Sequence, residues 1–176
     1  TIHNDVAGWP RGTADLDARR ARVVVGCAIA VDRALRAAGV RAPVRAVQNG
    51  IAPVAPRDDG ARSETRAAWG AADGDIVLLL VANPRPQKRF DRVGPIAAEL
   101  ARATGRPVRV VHCGAPSRAD ETALGIASAL SASLGAAGIP LVALGAVDEL
   151  GPIYEGADAL LSTSDWEGLS LAHLEA

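Results

Sequence analysis

Two glutamates near the end of the chain, Glu167 and Glu175, stand eight residues apart in STSDWEGLSLAHLEA. On a continuous helix that spacing is ~12 Å of rise and ~80° of rotation. Such a pair is too wide to work across one glycosidic bond, where two carboxylates want about 5–9.5 Å. It suits two acceptors that grip separate parts of one elongated ligand. Glu167 stands where a strand is expected to turn into a helix, and Gly168 behind it lets backbone amides approach an anion. A second group is basic: NPRPQKRFDR, residues 83–92, gathers Arg85, Lys88, Arg89 and Arg92 beside the expected start of a helix. Cations there oppose the helix macrodipole at ~0.3–1 kcal/mol each when exposed. The arrangement makes sense around a bound anion on which amides and cations converge; the alternative is a solvated loop in an arginine-rich chain. Of the nineteen Lys and Arg residues, Lys88 is the only lysine.

Other chemistries find no support. The segment after the strand at residues 76–82 lacks the G-x-G-x-x-G of a dinucleotide fold and the G-x-x-x-x-G-K-[ST] of a P-loop. Ser164 lies in no G-x-S-x-G elbow. His112 ends an expected strand, on the side of the expected crevice, and reads as a packed or surface histidine; His3 and His173 belong to no His, Cys and carboxylate cluster with metal spacing. Cys27 and Cys113 form no disulfide framework and read as reduced thiols of a cytoplasmic protein. A formal charge of −1 leaves no basic field for nucleic acid, and an aromatic content of 3% leaves no stacking platform for single strands. The longest apolar run, Ile76 to Ala82, is far short of the ~20 residues that span a bilayer.

The elements that must position these residues follow from periodicity. The first twenty residues are polar loop. A short β-branched run at 22–26, helical spacing over 28–38 closed by Gly39, and an extended run at 44–47 come next, with Asn49-Gly50 as a turn. The Pro- and charge-rich string IAPVAPRDD, 51–59, reads as a hinge. After a short helix near 63–69, strands are expected at 76–82, 108–112, 141–144 and 159–162. Helices are expected between them at 90–104, 120–136 and 148–156. Nearly continuous apolar strands alternating with helices predict an α/β, Rossmann-like parallel sheet covered on both faces, with ligands at the carboxyl ends of the strands.

Taken together, these segments resemble the retaining GT-B glycosyltransferases of the glycosyltransferase-4 (group 1) family. SDWEGLSLAHLE resembles the family's E-x7-E signature and QNGIAP its P-N-G-I/V linker. VANPRPQKRFD resembles its V-G-R-L-x-P-x-K-G-x-D phosphate loop, and LGAVDELGPIYEGADALLSTSDWEG the stretch that leads into E-G. The likeness covers about residues 22–176. It implies the end of an N-terminal acceptor-side domain at 1–50, an interdomain linker at 51–62 and a donor-binding domain at 63–176. Its ligands are a nucleoside-diphosphate sugar as donor substrate and an unidentified acceptor (a sugar, lipid or small molecule), with no metal or other cofactor. The setting it implies is cytoplasmic, with peripheral membrane contact of the full-length protein as an alternative.

Carried over by position, the resemblance implies that Lys88 binds the donor diphosphate and Glu175 accepts from both ribose hydroxyls. It implies that Glu167 contacts sugar hydroxyls near the reacting carbon, that the amides of Gly168, Leu169 and Ser170 support phosphates or sugar, and that Gly145 to Val147 border the base. This chain departs from the pattern at three places. Asn83 replaces the phosphate-loop arginine, so Arg85 or Arg89 must supply the second cation; Arg89 replaces the glycine after the lysine; Leu169 and Ser170 replace Phe-Gly. A nucleotide-sugar-binding module without transfer, and a GT-B epimerase or phosphorylase, are the competing readings. The absence of methionine, a first residue Thr1 and an uncapped end at Ala176 lead to the expectation of a fragment, poorly soluble and inactive alone, with further strands beyond the last residue beside 159–162.

Overall fold

The computed structural model describes all residues except 4, 5, 53–58 and 118. The chain divides into two units, Thr1–Ala52 with Trp166–Glu175, and Pro53–Asp165 with Ala176.

The first unit is built on one β-α-β element. Strand β1 (Val24–Gly26) runs parallel to β2 (Val44–Ala46), with helix α1 (Ile29–Ala37) between them. The helix presents Val31 and Leu35 to Val24, Cys27, Ala42 and Val44, and Ile2 joins them through a parallel bridge to Gly26. The closing segment of the chain packs here as well: Leu169 lies against this cluster, ahead of the five-residue helix α6 (Leu171–Glu175).

In the second unit, strands β3 (Ile76–Val81), β4 (Val108–Cys113), β5 (Leu141–Gly145) and β6 (Ala159–Leu160) form one parallel sheet in the order β5-β4-β3-β6. The unbroken apolar run of β3 is explained by what lies on its two faces. Leu78 and Leu80 enter a core with Val93 and Ala97 of α3 (Val93–Thr104) and Leu130 and Leu134 of α4 (Glu121–Ala136). Val77 and Leu79 enter a second core with Trp69, which follows α2 (Asp59–Ala68), and Ile153 of α5 (Gly151–Gly156). Each such side chain, fully buried, contributes ~1.5–3 kcal/mol of transfer free energy. Helix ends are set locally: Asp120 caps α4 by accepting from the Ala123 amide at 3.0 Å, and Gly105 closes α3 at φ 67°.

Three boundaries differ from the sequence-based expectation. Helix α2 begins at Asp59, so Asp59–Arg62 are its first turn rather than the end of a linker; the hinge residues 53–58 lie outside the described residues. The last expected helix starts only at Gly151, where Pro152 suits a first-turn position. Strand β6 is two residues long. Its approach is fixed by polar contacts that hydropathy does not register. The Asp158 carboxylate accepts from the Val77 amide at 2.8 Å, from Arg66 at 3.0 Å and from Arg62 at 2.5 Å. Burial pushes Asp158 up, but the Val77 N–H and the two guanidiniums outweigh it and leave the carboxyl below its usual range. Arg66 is buried because it is saturated, donating also to the carbonyls of Gly156, Ala72 and Asp75. Among the described residues, no helix is long and apolar enough to cross a membrane.

Candidate functional site

The order β5-β4-β3-β6 is the 3-2-1-4 half of a doubly wound sheet, and its strand order reverses between β3 and β6. In open α/β sheets the crevice beyond the strand carboxyl ends at that reversal is where ligands bind. The segment that leaves β3 there is the one carrying Asn83, Arg85 and Lys88.

That segment is a tight double turn. Residues Pro86–Lys88 and Phe90–Arg92 form successive 3-10 turns joined at Arg89, and α3 follows. Arg89 has φ 48° and ψ 51°, the one left-handed non-glycine residue among those described. That conformation costs an L residue on the order of 1–2 kcal/mol, so its surroundings must hold it. They do so with carboxylates. The Arg89 guanidinium donates from Nε and Nη2 to Asp91 at 3.0 and 2.8 Å, and from Nη1 to both oxygens of Asp165 at 3.1 Å. Arg92 reaches the same Asp165 at 2.7 Å. Arg89 is held more firmly protonated by Asp91 and Asp165, and both carboxyls are pulled below their ordinary range chiefly by their hydrogen bonds to Arg89.

The consequence for the basic cluster is plain. Four cations do not converge on an open anion site, because Arg89 and Arg92 are engaged by Asp91 and Asp165. Arg85 is exposed and makes no ion pair among the described residues. Of the two candidates for a second cation, Arg85 is therefore the available one. Lys88 is half-buried, and its backbone is fixed on both sides. Its N–H donates to the Arg85 carbonyl at 2.9 Å, and its carbonyl accepts from Thr163 Oγ1 at 2.6 Å.

Asn83, at the position of the resembled arginine, has a structural task. Its Oδ1 accepts from the Ala115 amide at 3.2 Å, tying the end of β3 to the turn after β4. The Gly114 amide donates to the Gly145 carbonyl at 2.7 Å, which links that turn to the end of β5. Gly114 itself sits at φ 141°, and a Cβ there would lie 2.1 Å from the Ala82 carbonyl oxygen; only glycine allows the two strand ends this approach. Gly145 at φ 73° turns the chain out of the sheet, and Val147 packs half-buried against the core of the α2 and α5 face. His112 is a core residue. It is 4% exposed, edge-on to Phe90 at 5.2 Å, with Nε2 2.9 Å from the Ala82 carbonyl. Burial holds its pKa below the ordinary imidazole value against that hydrogen bond. Burial also pushes the Cys113 thiol up to about 11, so it is no nucleophile at neutral pH.

Glu167, Gly168, Leu169, Ser170 and Glu175 belong to the first unit. Only Leu171–Glu175 is helical, so the helical spacing of ~12 Å does not apply between the two glutamates. Glu167 stands in irregular chain ahead of the helix and Glu175 closes it; both are half-buried. The chain between them is held by close packing. A Cβ on Gly168 would lie 1.9 Å from the His3 carbonyl oxygen and 3.0 Å from Cys27 Sγ, and the Asn49 side-chain amide donates to the Leu169 carbonyl at 3.2 Å. Gly168 is thus required by backbone contact. Asn49, Thr163 and Asp165 make contacts to these segments that local spacing does not single out. Asn49 is legible in the sequence only as a turn residue, and the partners of the other two are set by strand pairing.

The fold and the strand-end loops together define a Rossmann-like half of the GT-B glycosyltransferase architecture, an α/β parallel sheet with flanking helices. No protein-family profile matches the chain. Over 119 residues it is 30% identical to the D-inositol 3-phosphate glycosyltransferase of Rhodococcus erythropolis, a match that takes in 66% of this chain and 27% of that protein. Anabaena HepE, solved with UDP and glucose, superposes with a TM-score of 0.65 at 20% identity over 83% of this chain and 39% of its own. TarM superposes with a TM-score of 0.69 at 12% identity over 99% of this chain and 33% of its own. At these identities the two structures speak to the fold. The chain spans about a quarter of the curated relative's length. The resemblance carried by the motifs to GT-B glycosyltransferases therefore holds in sequence comparison and in three dimensions.

Proposed function

We propose that this chain carries the donor-binding residues of a glycosyltransferase that moves a sugar from a nucleoside diphosphate to an acceptor with retention of configuration. The observation that carries this reading is the placement of Lys88 on the turn leaving β3 at the reversal point of the sheet. A diphosphate set there meets the Lys88 ammonium and the exposed Arg85. Charge-assisted hydrogen bonds of this kind are about twice as strong as neutral ones. As the bond from the anomeric carbon to the leaving oxygen breaks, negative charge grows on the nucleoside diphosphate, and a fixed cation favours that state over the ground state. Glu175 takes the two ribose hydroxyls. Glu167 holds sugar hydroxyls near the reacting carbon, with the amides of Gly168 to Ser170 in support. Gly145 to Val147 border the base, and no metal ion is assigned a role. Arg89, tied to Asp91 and Asp165, is left out of the diphosphate contacts.

The test is a calorimetric screen of UDP-, GDP- and ADP-sugars against the full-length protein, followed by assignment of the product's anomeric configuration by NMR. Binding of one class and transfer with retention is the expected result. Failure of all three to bind overturns the reading, and binding without transfer to any acceptor favours a nucleotide-sugar-binding module.

A further inference from the structure

Asp165 stands on the chain leaving β6, and it grips the turn that carries Lys88 in three ways. Its backbone N–H donates to the Gln87 carbonyl at 2.9 Å. Its carboxylate takes Arg89 with both oxygens at 3.1 Å and Arg92 at 2.7 Å. Arg92 in turn donates to the Thr163 carbonyl at 3.1 Å, and Thr163 Oγ1 donates to the carbonyl of Lys88 itself. On the other side of Arg89 the chain is fixed, because Phe90 is buried in the core against the His112 ring. With Phe90 buried, the dihedral angles of Arg89 set, together with the Thr163 hydroxyl, how the chain carrying Lys88 leaves the core. Those angles lie at φ 48°, a region that non-glycine residues leave unless something holds them.

We infer that Asp165 is a positioning residue for Lys88: its carboxylate, together with that of Asp91, holds through Arg89 the left-handed turn that aims the lysine at a nucleoside diphosphate. The inference rests on the donor reading proposed above and adds to it a residue to which the resemblance assigns no role. It also gives Arg89 a task other than touching phosphate. Exposed ion pairs are individually weak. This one matters through geometry, because a misaimed ammonium loses a directional contact. Asparagine at 165 keeps the backbone bond to Gln87 and the side-chain shape while removing the charge that holds two guanidiniums.

The experiment is a double-mutant cycle in the full-length protein, read as the dissociation constant of whichever of UDP, GDP and ADP the parent binds tightest. Asp165→Asn is expected to weaken that nucleotide about three- to tenfold. Glycine adopts the left-handed turn without help, so in an Arg89→Gly background the same Asp165→Asn change is expected to add less than a further twofold. A merely structural or generally electrostatic role for Asp165 would not be relieved by Arg89→Gly. Unchanged or tighter binding in Asp165→Asn overturns the inference, as does an equal loss in both backgrounds. Lys88→Ala separates the two levels. If Lys88→Ala loses nucleotide and Asp165→Asn does not, the inference alone fails. If the parent binds none of the three nucleotides, or Lys88→Ala binds as the parent does, the donor reading falls and the inference with it.

Discussion

The Lys88 turn and the Glu167–Glu175 segment are held in place by different physics. The first is a polar construction, fixed through Thr163, Asp91, Asp165 and Arg92 and carrying a left-handed arginine that those contacts hold. The second is a packed construction, in which Gly168 lies against the His3 backbone and Leu169 against the core of its unit, with one amide from Asn49. A cation cannot be buried among apolar groups without losing its charge state, and the support of the Lys88 turn is accordingly polar. Backbone contact places the glutamate segment, and glycine at 168 is the requirement of that contact.

If this contrast is right, the two regions should fail differently. The largest effect belongs to packing. Gly168→Ala forces a methyl group into the His3 carbonyl and should lower stability by about 1–3 kcal/mol, with little dependence on salt. The check is chemical denaturation of the full-length protein at low and high ionic strength. A neutral Gly168→Ala would show that the segment shifts freely.

A smaller effect belongs to the polar side. Thr163 is buried, and Thr163→Val removes the hydroxyl that serves the Lys88 carbonyl. The expected loss is about 1 kcal/mol of stability, together with weaker donor binding. An equally small stability loss with unchanged donor binding would detach this hydrogen bond from the site.

The smallest effect concerns pH. The carboxyls of Asp91 and Asp165 titrate below their ordinary range in the folded state. Their contribution is thus complete above about pH 4 and fades only as pH falls through the lowered values. His112 has its window higher. Its folded value lies below the ordinary imidazole one, so the unfolded chain binds its proton first and stability declines as pH drops below about 6.5. Between about pH 8 and 5 the thermal midpoint of the parent should therefore fall more than that of His112→Phe, while the Asp165 contacts stay intact. Equal slopes would remove His112 as the cause.

Much of the fold is legible in the chain, and the reasons are local. The run 76–81 is apolar on both faces because helices cover both, and alternation with helices makes a parallel sheet the natural outcome. The prominence of Lys88 comes from its being the one lysine, and beside a strand end. What escapes a local reading is long-range and polar. Arg89 and Asp165 are 76 residues apart, and Asn49 and Leu169 are 120 apart; the first pair meets only because β6 lies next to β3. Four nearby cations look like an anion site because Asp165, the carboxylate that Arg89 and Arg92 share, is far away in the sequence. The eight-residue interval between the glutamates invites a helix, but Trp166 to Ser170 follows backbone contacts with the first unit instead.

On the proposed donor reading Lys88 and Glu175 each contribute to nucleotide binding, and calorimetric titration of the full-length protein with the nucleotide it binds tightest checks this claim. Loss of one charge-assisted hydrogen-bonding group corresponds to ~1.5–3 kcal/mol, so Lys88→Ala and Glu175→Ala should each weaken binding by roughly tenfold or more, with the folded state preserved. Full affinity in the folded Glu175→Ala protein would contradict the claim.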